Sequence, residues 1–135
     1  MLKKKSILIT GSNGLVGTQI KKFFLKNNAI VTGVDLKKKD QYTIKCDITS
    51  EKDVKETFKI INKKKSLDIL INNASLNPSK IENFKKKTFK FSDYPLEKWK
   101  KSLEVDLVGS FLVTREALKI FEKNNKGLII NISSI

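Results

Sequence analysis

The stretch TGSNGLVG, from Thr10 to Gly17, constrains this chain more than any other. It follows SILIT, residues 6–10, a β-branched apolar run of the length of a buried strand. It leads into a helical pattern from Gly14 to about Lys26, with Leu15, Val16, Ile20, Phe23 and Phe24 on one face. Glycines fall at 11, 14 and 17, and three separate needs can place them there. One permits the tight turn out of a strand, one lets the backbone approach a pyrophosphate, and one lets the helix pack closely on the strand. The helix start then offers unpaired N–H groups to the anion. Glycines alone also make ordinary loops, but the flanking strand and helix supply the context that dinucleotide binding requires. Gly11, Ser12, Asn13, Gly14, Leu15, Val16 and Gly17 are therefore candidate cofactor-binding residues.

The rest of the chain repeats the alternation. Strands are expected at 29–35, 42–46, 67–72 and 127–132. Ser50 and Asp53 open a helix with Val54, Phe58 and Ile61 as its stripe. Residues 75–94 are lysine-rich and irregular. Pro95 suits the first turn of a long helix to about Lys123, bent or split near 101. Leu96, Trp99, Leu103, Leu107, Phe111, Leu118 and Phe121 mark its expected buried side. Strands alternating with helices imply a parallel sheet covered on both faces. The expected fold is thus one α/β domain over 1–135, a doubly wound three-layer α/β/α sandwich that stops after its fifth strand.

Asp35 ends the second expected strand, 18 residues after Gly17. An acid there can accept hydrogen bonds from both adenosine ribose hydroxyls and repels a 2′-phosphate, which favours NAD over NADP. Lys37 to Lys39 pull the other way, since they can neutralise a phosphate.

Composition removes other classes. No apolar run reaches the length of a membrane span, and the opening MLKKKSILIT flows into the glycine turn rather than a cleavage site. Cys46 stands alone, so no internal disulfide forms, and a reducing, cytoplasmic setting is expected. The net charge of +14 raises the question of nucleic acid. It is made of 27 lysines and a single arginine, Arg115, whereas base recognition leans on arginine's planar fork. The lysines come in scattered triplets at expected loops and helix ends, so a solvated surface is the preferred reading and no nucleic-acid partner is expected. No metal is expected either.

Several motifs, in one order along nearly the whole chain, resemble the N-terminal part of a short-chain dehydrogenase/reductase, a Rossmann-type family. TGSNGLVG is similar to the family's glycine motif, with the middle glycine spaced as in its epimerase-like branch. CDITS resembles the segment after the third strand, which implies that Asp47 and the Ile48 backbone hold the adenine ring. INNAS resembles the family's Asn-Asn-Ala-Gly and places Asn73 and Ala74 beside the cofactor ribose, with Ser75 where the glycine usually stands. WKKSLEVDLVGSF resembles the long-helix segment whose asparagine joins the catalytic group, and here Asp106 holds that place. GLIINISSI resembles the strand ending in the catalytic serine, which the match assigns to Ser134 rather than Ser133.

The resemblance implies hydride transfer between a nicotinamide cofactor and an alcohol or carbonyl of a small-molecule substrate, a sugar derivative among the candidates. It also implies a homo-oligomeric full-length protein. In the family a Tyr-x-x-x-Lys follows the serine. None follows Ser134 here, and Tyr42 and Tyr94 belong to other segments. Residues 1–135 alone are therefore expected to be inactive. Alternatives are a non-catalytic dinucleotide-binding module or gene relic, and a basic nucleic-acid binder.

Overall fold

A computed structural model describes residues 3–63, 67–76 and 90–133. The chain runs β1 (Ser6–Thr10), α1 (Leu15–Lys26), β2 (Ile30–Asp35), β3 (Thr43–Lys45), α2 (Glu51–Lys63) and β4 (Ile69–Asn72). It continues through a 3-10 turn (Phe91–Asp93) to α3 (Leu96–Leu103), a π-helical segment (Glu104–Gly109), α4 (Ser110–Asn124) and β5 (Leu128–Asn131). The strands form one sheet in the order β3-β2-β1-β4-β5, with every neighbouring pair parallel. This is the expected doubly wound α/β fold.

Side-chain alternation along β1 divides the core. Leu8 points to the face covered by α2 and α4, where it meets Val34, Val54, Phe58, Leu70, Val113 and Ala117. Ile7 and Ile9 point to the opposite face, where Ile20, Phe24 and Leu25 of α1 pack. The start of α2 is fixed as its sequence implied: Asp53 N–H donates to Ser50 Oγ at 3.2 Å, and the Ser50 hydroxyl donates to Asp53 Oδ1 at 3.0 Å.

Two expectations about faces need correction. On α1, Leu15 is 87% exposed and Val16 and Phe23 are also exposed. Gly17 and Lys21 are the buried positions instead, because the helix turns its smallest residue to the sheet. On the long helix, Leu96, Trp99, Leu103, Leu107, Phe111 and Leu118 are all exposed, and of the expected stripe Phe121 alone is buried. The core side is Leu112, Val113, Ala117, Ile120 and Phe121. β5 is the edge strand of the sheet, with Leu128 and Ile132 about half exposed. The bend expected near 101 is the π-helical segment, which begins at Glu104.

The amino end of the sheet is locked by one acid. Asp68 accepts the Ser6 N–H at 3.0 Å and the Lys5 ammonium at 3.1 Å, with the Lys126 ammonium at 4.0 Å. Burial pushes the Asp68 carboxyl up, but these donors and charges outweigh it and hold its pKa below the ordinary value. A depressed pKa contributes stability that is present above the unfolded value, about 3.9, and is lost as pH falls through the folded one. Asp68→Asn is expected to cost about 1–3 kcal/mol at pH 7, the scale of hydrogen bonds to a charged group. Urea unfolding of both proteins from pH 7 downward checks this, and the gap between them should close below the ordinary carboxylate range.

Candidate functional site

Strand order reverses between β1, which leads on to β2 and β3, and β4, which leads on to β5. The carboxyl ends of β1 and β4 thus flank a crevice, and the glycine turn lies at its mouth. Gly11 carries a φ of +61°, and a Cβ there would sit 2.7 Å from the Ala74 Cα. Gly17 is tighter still, since a Cβ would stand 2.2 Å from the Gly11 carbonyl oxygen and 2.9 Å from Asn73 Nδ2. Close approach, then, explains both glycines. Gly14 N–H donates to Gly11 O at 3.0 Å, and no side chain caps α1. By helix geometry the first-turn N–H groups, at Leu15 to Gly17, point out over the turn. The apolar side chains of Leu15 and Val16 stand away from the core, so any role of theirs here falls to the backbone.

Four further residues are brought to the same edge. Asn73 and Ala74 donate their N–H groups to Thr10 Oγ1, both at 2.9 Å, and Asn73 Nδ2 donates to Thr10 O at 3.0 Å. Asp35, at the end of β2, accepts the Asn13 N–H on Oδ2 at 2.9 Å. Asp106 lies in the π-helical segment and accepts the Leu76 N–H at 3.1 Å, which ties the long helix to the chain leaving β4. Asp47 is occupied locally: its Oδ1 accepts the Thr49 N–H at 2.9 Å and the Thr49 hydroxyl at 2.7 Å. The Ile48 side chain is buried in the core. Ser134 lies outside the described residues. The Ser12 side chain is buried, and its hydroxyl lies 3.4 Å from that of Thr43.

Sequence reasoning missed Thr10, Lys21 and Thr43. Thr10 was visible as the one hydroxyl at the end of an apolar strand. Lys21 carried no local signal, since its partners Asp40 and Thr43 lie 19 and 22 residues away. Sequence reasoning also passed over a Tyr-x-x-x-Lys spacing at Tyr94 and Lys98. It flanks the start of α3. Among the described residues no three His, Cys, Asp or Glu side chains gather as a metal site, and no helix is long and apolar enough to cross a membrane.

An open parallel sheet whose order reverses beside a glycine-rich strand-to-helix turn defines the nucleotide-binding class of α/β proteins. Residues 5–135 match the family model for short chain dehydrogenases, and the chain belongs to that family. It is 32% identical over 144 residues to a 3-oxoacyl-[acyl-carrier-protein] reductase of Rickettsia conorii, covering 99% of this chain and 55% of that protein. A short chain dehydrogenase from Leptospira borgpetersenii with bound NAD+ superposes with a TM-score of 0.83 at 29% identity. The match covers 98% of this chain and 52% of that one. ElxO with NADP bound superposes with a TM-score of 0.82 at 27% identity, covering 97% and 56%. The chain thus spans about half the length of these relatives.

Proposed function

We propose that residues 1–135 form the cofactor-binding first part, an incomplete Rossmann domain, of a cytoplasmic NAD-dependent short-chain oxidoreductase acting on an alcohol or carbonyl, with sugar derivatives among the candidate substrates. The observation that carries this is the uncapped start of α1 behind a turn too tight for any side chain at Gly11 or Gly17. NAD bound there would accept or supply the hydride. The backbone from Gly11 to Gly17 cradles the pyrophosphate, and Asp35 receives the adenosine ribose hydroxyls. Asp47 and Ile48 border the adenine, and Asn73 and Ala74 the nicotinamide-side ribose. Ser134 hydrogen-bonds the reacting oxygen, with Asp106 in the catalytic group. The partner is a small molecule rather than nucleic acid. In support of that, the one arginine is engaged, paired with Glu51 at 2.6 Å and lying over the Phe111 ring. The exposed apolar row from Leu96 to Leu118 supports a homo-oligomeric full-length protein.

Cofactor choice is the direct test. Asp35→Ala is expected to weaken NADH and strengthen NADPH, shifting the preference by about 1–3 kcal/mol, the scale of a charged hydrogen bond. Fluorescence titration of the intact protein with each cofactor measures it. A wild type that already prefers NADPH would mean that Lys37 to Lys39 dominate, and the NAD assignment would fail.

A further inference from the structure

Lysine is rarely buried without a partner, and Lys21 is buried in the body of α1. It lies one turn beyond Gly17, on the face that packs against the sheet. A helical side chain leans toward the helix N-terminus, so its stem runs back beneath the glycine turn. The ammonium there meets Asn13 Oδ1 at 3.0 Å, Asp40 Oδ2 at 2.5 Å and Thr43 Oγ1 at 3.4 Å. The Lys21 side chain is 6% exposed and that of Asp40 35%. The other Asp40 oxygen accepts the Thr43 hydroxyl at 2.8 Å and the Tyr42 N–H at 3.0 Å. Burial pushes the Asp40 carboxyl up, but Lys21 and Thr43 outweigh it and hold its pKa below the ordinary value.

This network reaches the cofactor edge through Asn13, whose carboxamide is engaged at both ends. Its oxygen accepts from Lys21 and lies 3.3 Å from Thr43 Oγ1, and its Nδ2 donates to Lys37 O at 2.5 Å. Its backbone N–H goes to Asp35 Oδ2, while Asp35 Oδ1 accepts the Lys37 N–H at 3.3 Å. Both donors that hold the Asp35 carboxylate are therefore fixed by the group that Lys21 organises.

We propose that Lys21 is a specificity-determining positioning residue: with Asp40 it clamps Asn13 and the β2–β3 loop, so that the Asp35 carboxylate stays where it accepts ribose hydroxyls and excludes a 2′-phosphate. The inference rests on the role of Asp35 given above. Without the clamp, Asp35 loses its fixed donors, while Lys37 to Lys39, exposed on the same loop, remain to meet a phosphate.

Lys21→Met keeps the stem and removes the charge. In the intact protein it is expected to weaken NADH by roughly ten-fold or more while NADPH changes by less than about threefold, one charged hydrogen bond being worth about that factor. Equal weakening of both cofactors would mark a merely structural lysine and overturn the proposal. Asp40→Asn, at a more exposed position, provides the second variant should Lys21→Met fail to fold. It is expected to shift the preference the same way and to speed hydrogen exchange at the Asn13 and Lys37 amides. An unchanged preference with unchanged exchange would also overturn the clamp. A wild type that binds neither dinucleotide would sink the functional reading and the specificity role with it. The exchange measurement needs no cofactor, so it still decides separately whether the clamp exists.

Discussion

Gly17→Ala is expected to abolish measurable NADH binding and to destabilise the protein by about 1–3 kcal/mol, the usual range for overpacking. The added methyl would stand 2.2 Å from the Gly11 carbonyl oxygen, a backbone atom with no rotamer to change. Relief requires α1 to move off the sheet or the turn to open, and either displaces the first-turn N–H groups. Gly14→Ala is the internal control. Its methyl would lie 3.2 Å from the same oxygen, a contact relieved by a few tenths of an ångström. It should fold with stability close to wild type, so it controls for the packing effect of an added methyl. Gly11 is a poorer probe, since its positive φ and the nearby Ala74 backbone make any substitution a folding defect first. Titration with NADH, beside urea unfolding, reads both quantities. A folded Gly17→Ala protein with undiminished affinity would show that this turn is not the pyrophosphate cradle.

The second large effect concerns catalysis. Residues 1–135 prepared as a separate polypeptide are expected to transfer hydride at least about 10²–10⁴-fold more slowly than a polypeptide extended through a Tyr-x-x-x-Lys after Ser134, the usual contribution of general acid–base catalysis. Asp106 is tied to the Leu76 N–H. The isolated segment should also associate, because β5 is an open edge and the long helix carries an exposed apolar row. Both polypeptides would be assayed with NAD against a panel of alcohols and sugar derivatives and sized by sedimentation. A monomeric 1–135 with the activity of the longer one would refute the proposed mechanism.

The strands were legible because parallel strands buried on both faces are written as short β-branched runs, such as SILIT and ILIN. The glycine turn was legible because its spacing is dictated by backbone contacts. The buried side of the long helix was not. That helix has two apolar faces, and periodicity alone does not say which one meets a sheet. The π-helical segment adds a further reason. It fits one extra residue into a turn, so a 3.6-residue count begun at Leu96 is out of phase by Phe111. Leu112 and Val113 therefore face inward where Phe111 had been expected. Lys21 was illegible for a different reason. Its partners, Asp40 and Thr43, lie in another loop, and nothing local in the sequence announces a tertiary ion pair.

The central place of β1 has a consequence for how the chain is made. Ile7 is registered against Val31 on one side and Ile69 on the other. The first neighbour leaves the ribosome soon after β1, but the second lies about 60 residues further along. During that interval one edge of the most buried strand has no partner, and Ile7, Leu8 and Ile9, all 0% exposed in the finished fold, are only partly covered. Long-range parallel pairing is slow, and such half-built sheets are prone to aggregate. The Ser6–Asp68 hydrogen bond, spanning 62 residues, closes that gap at its amino end.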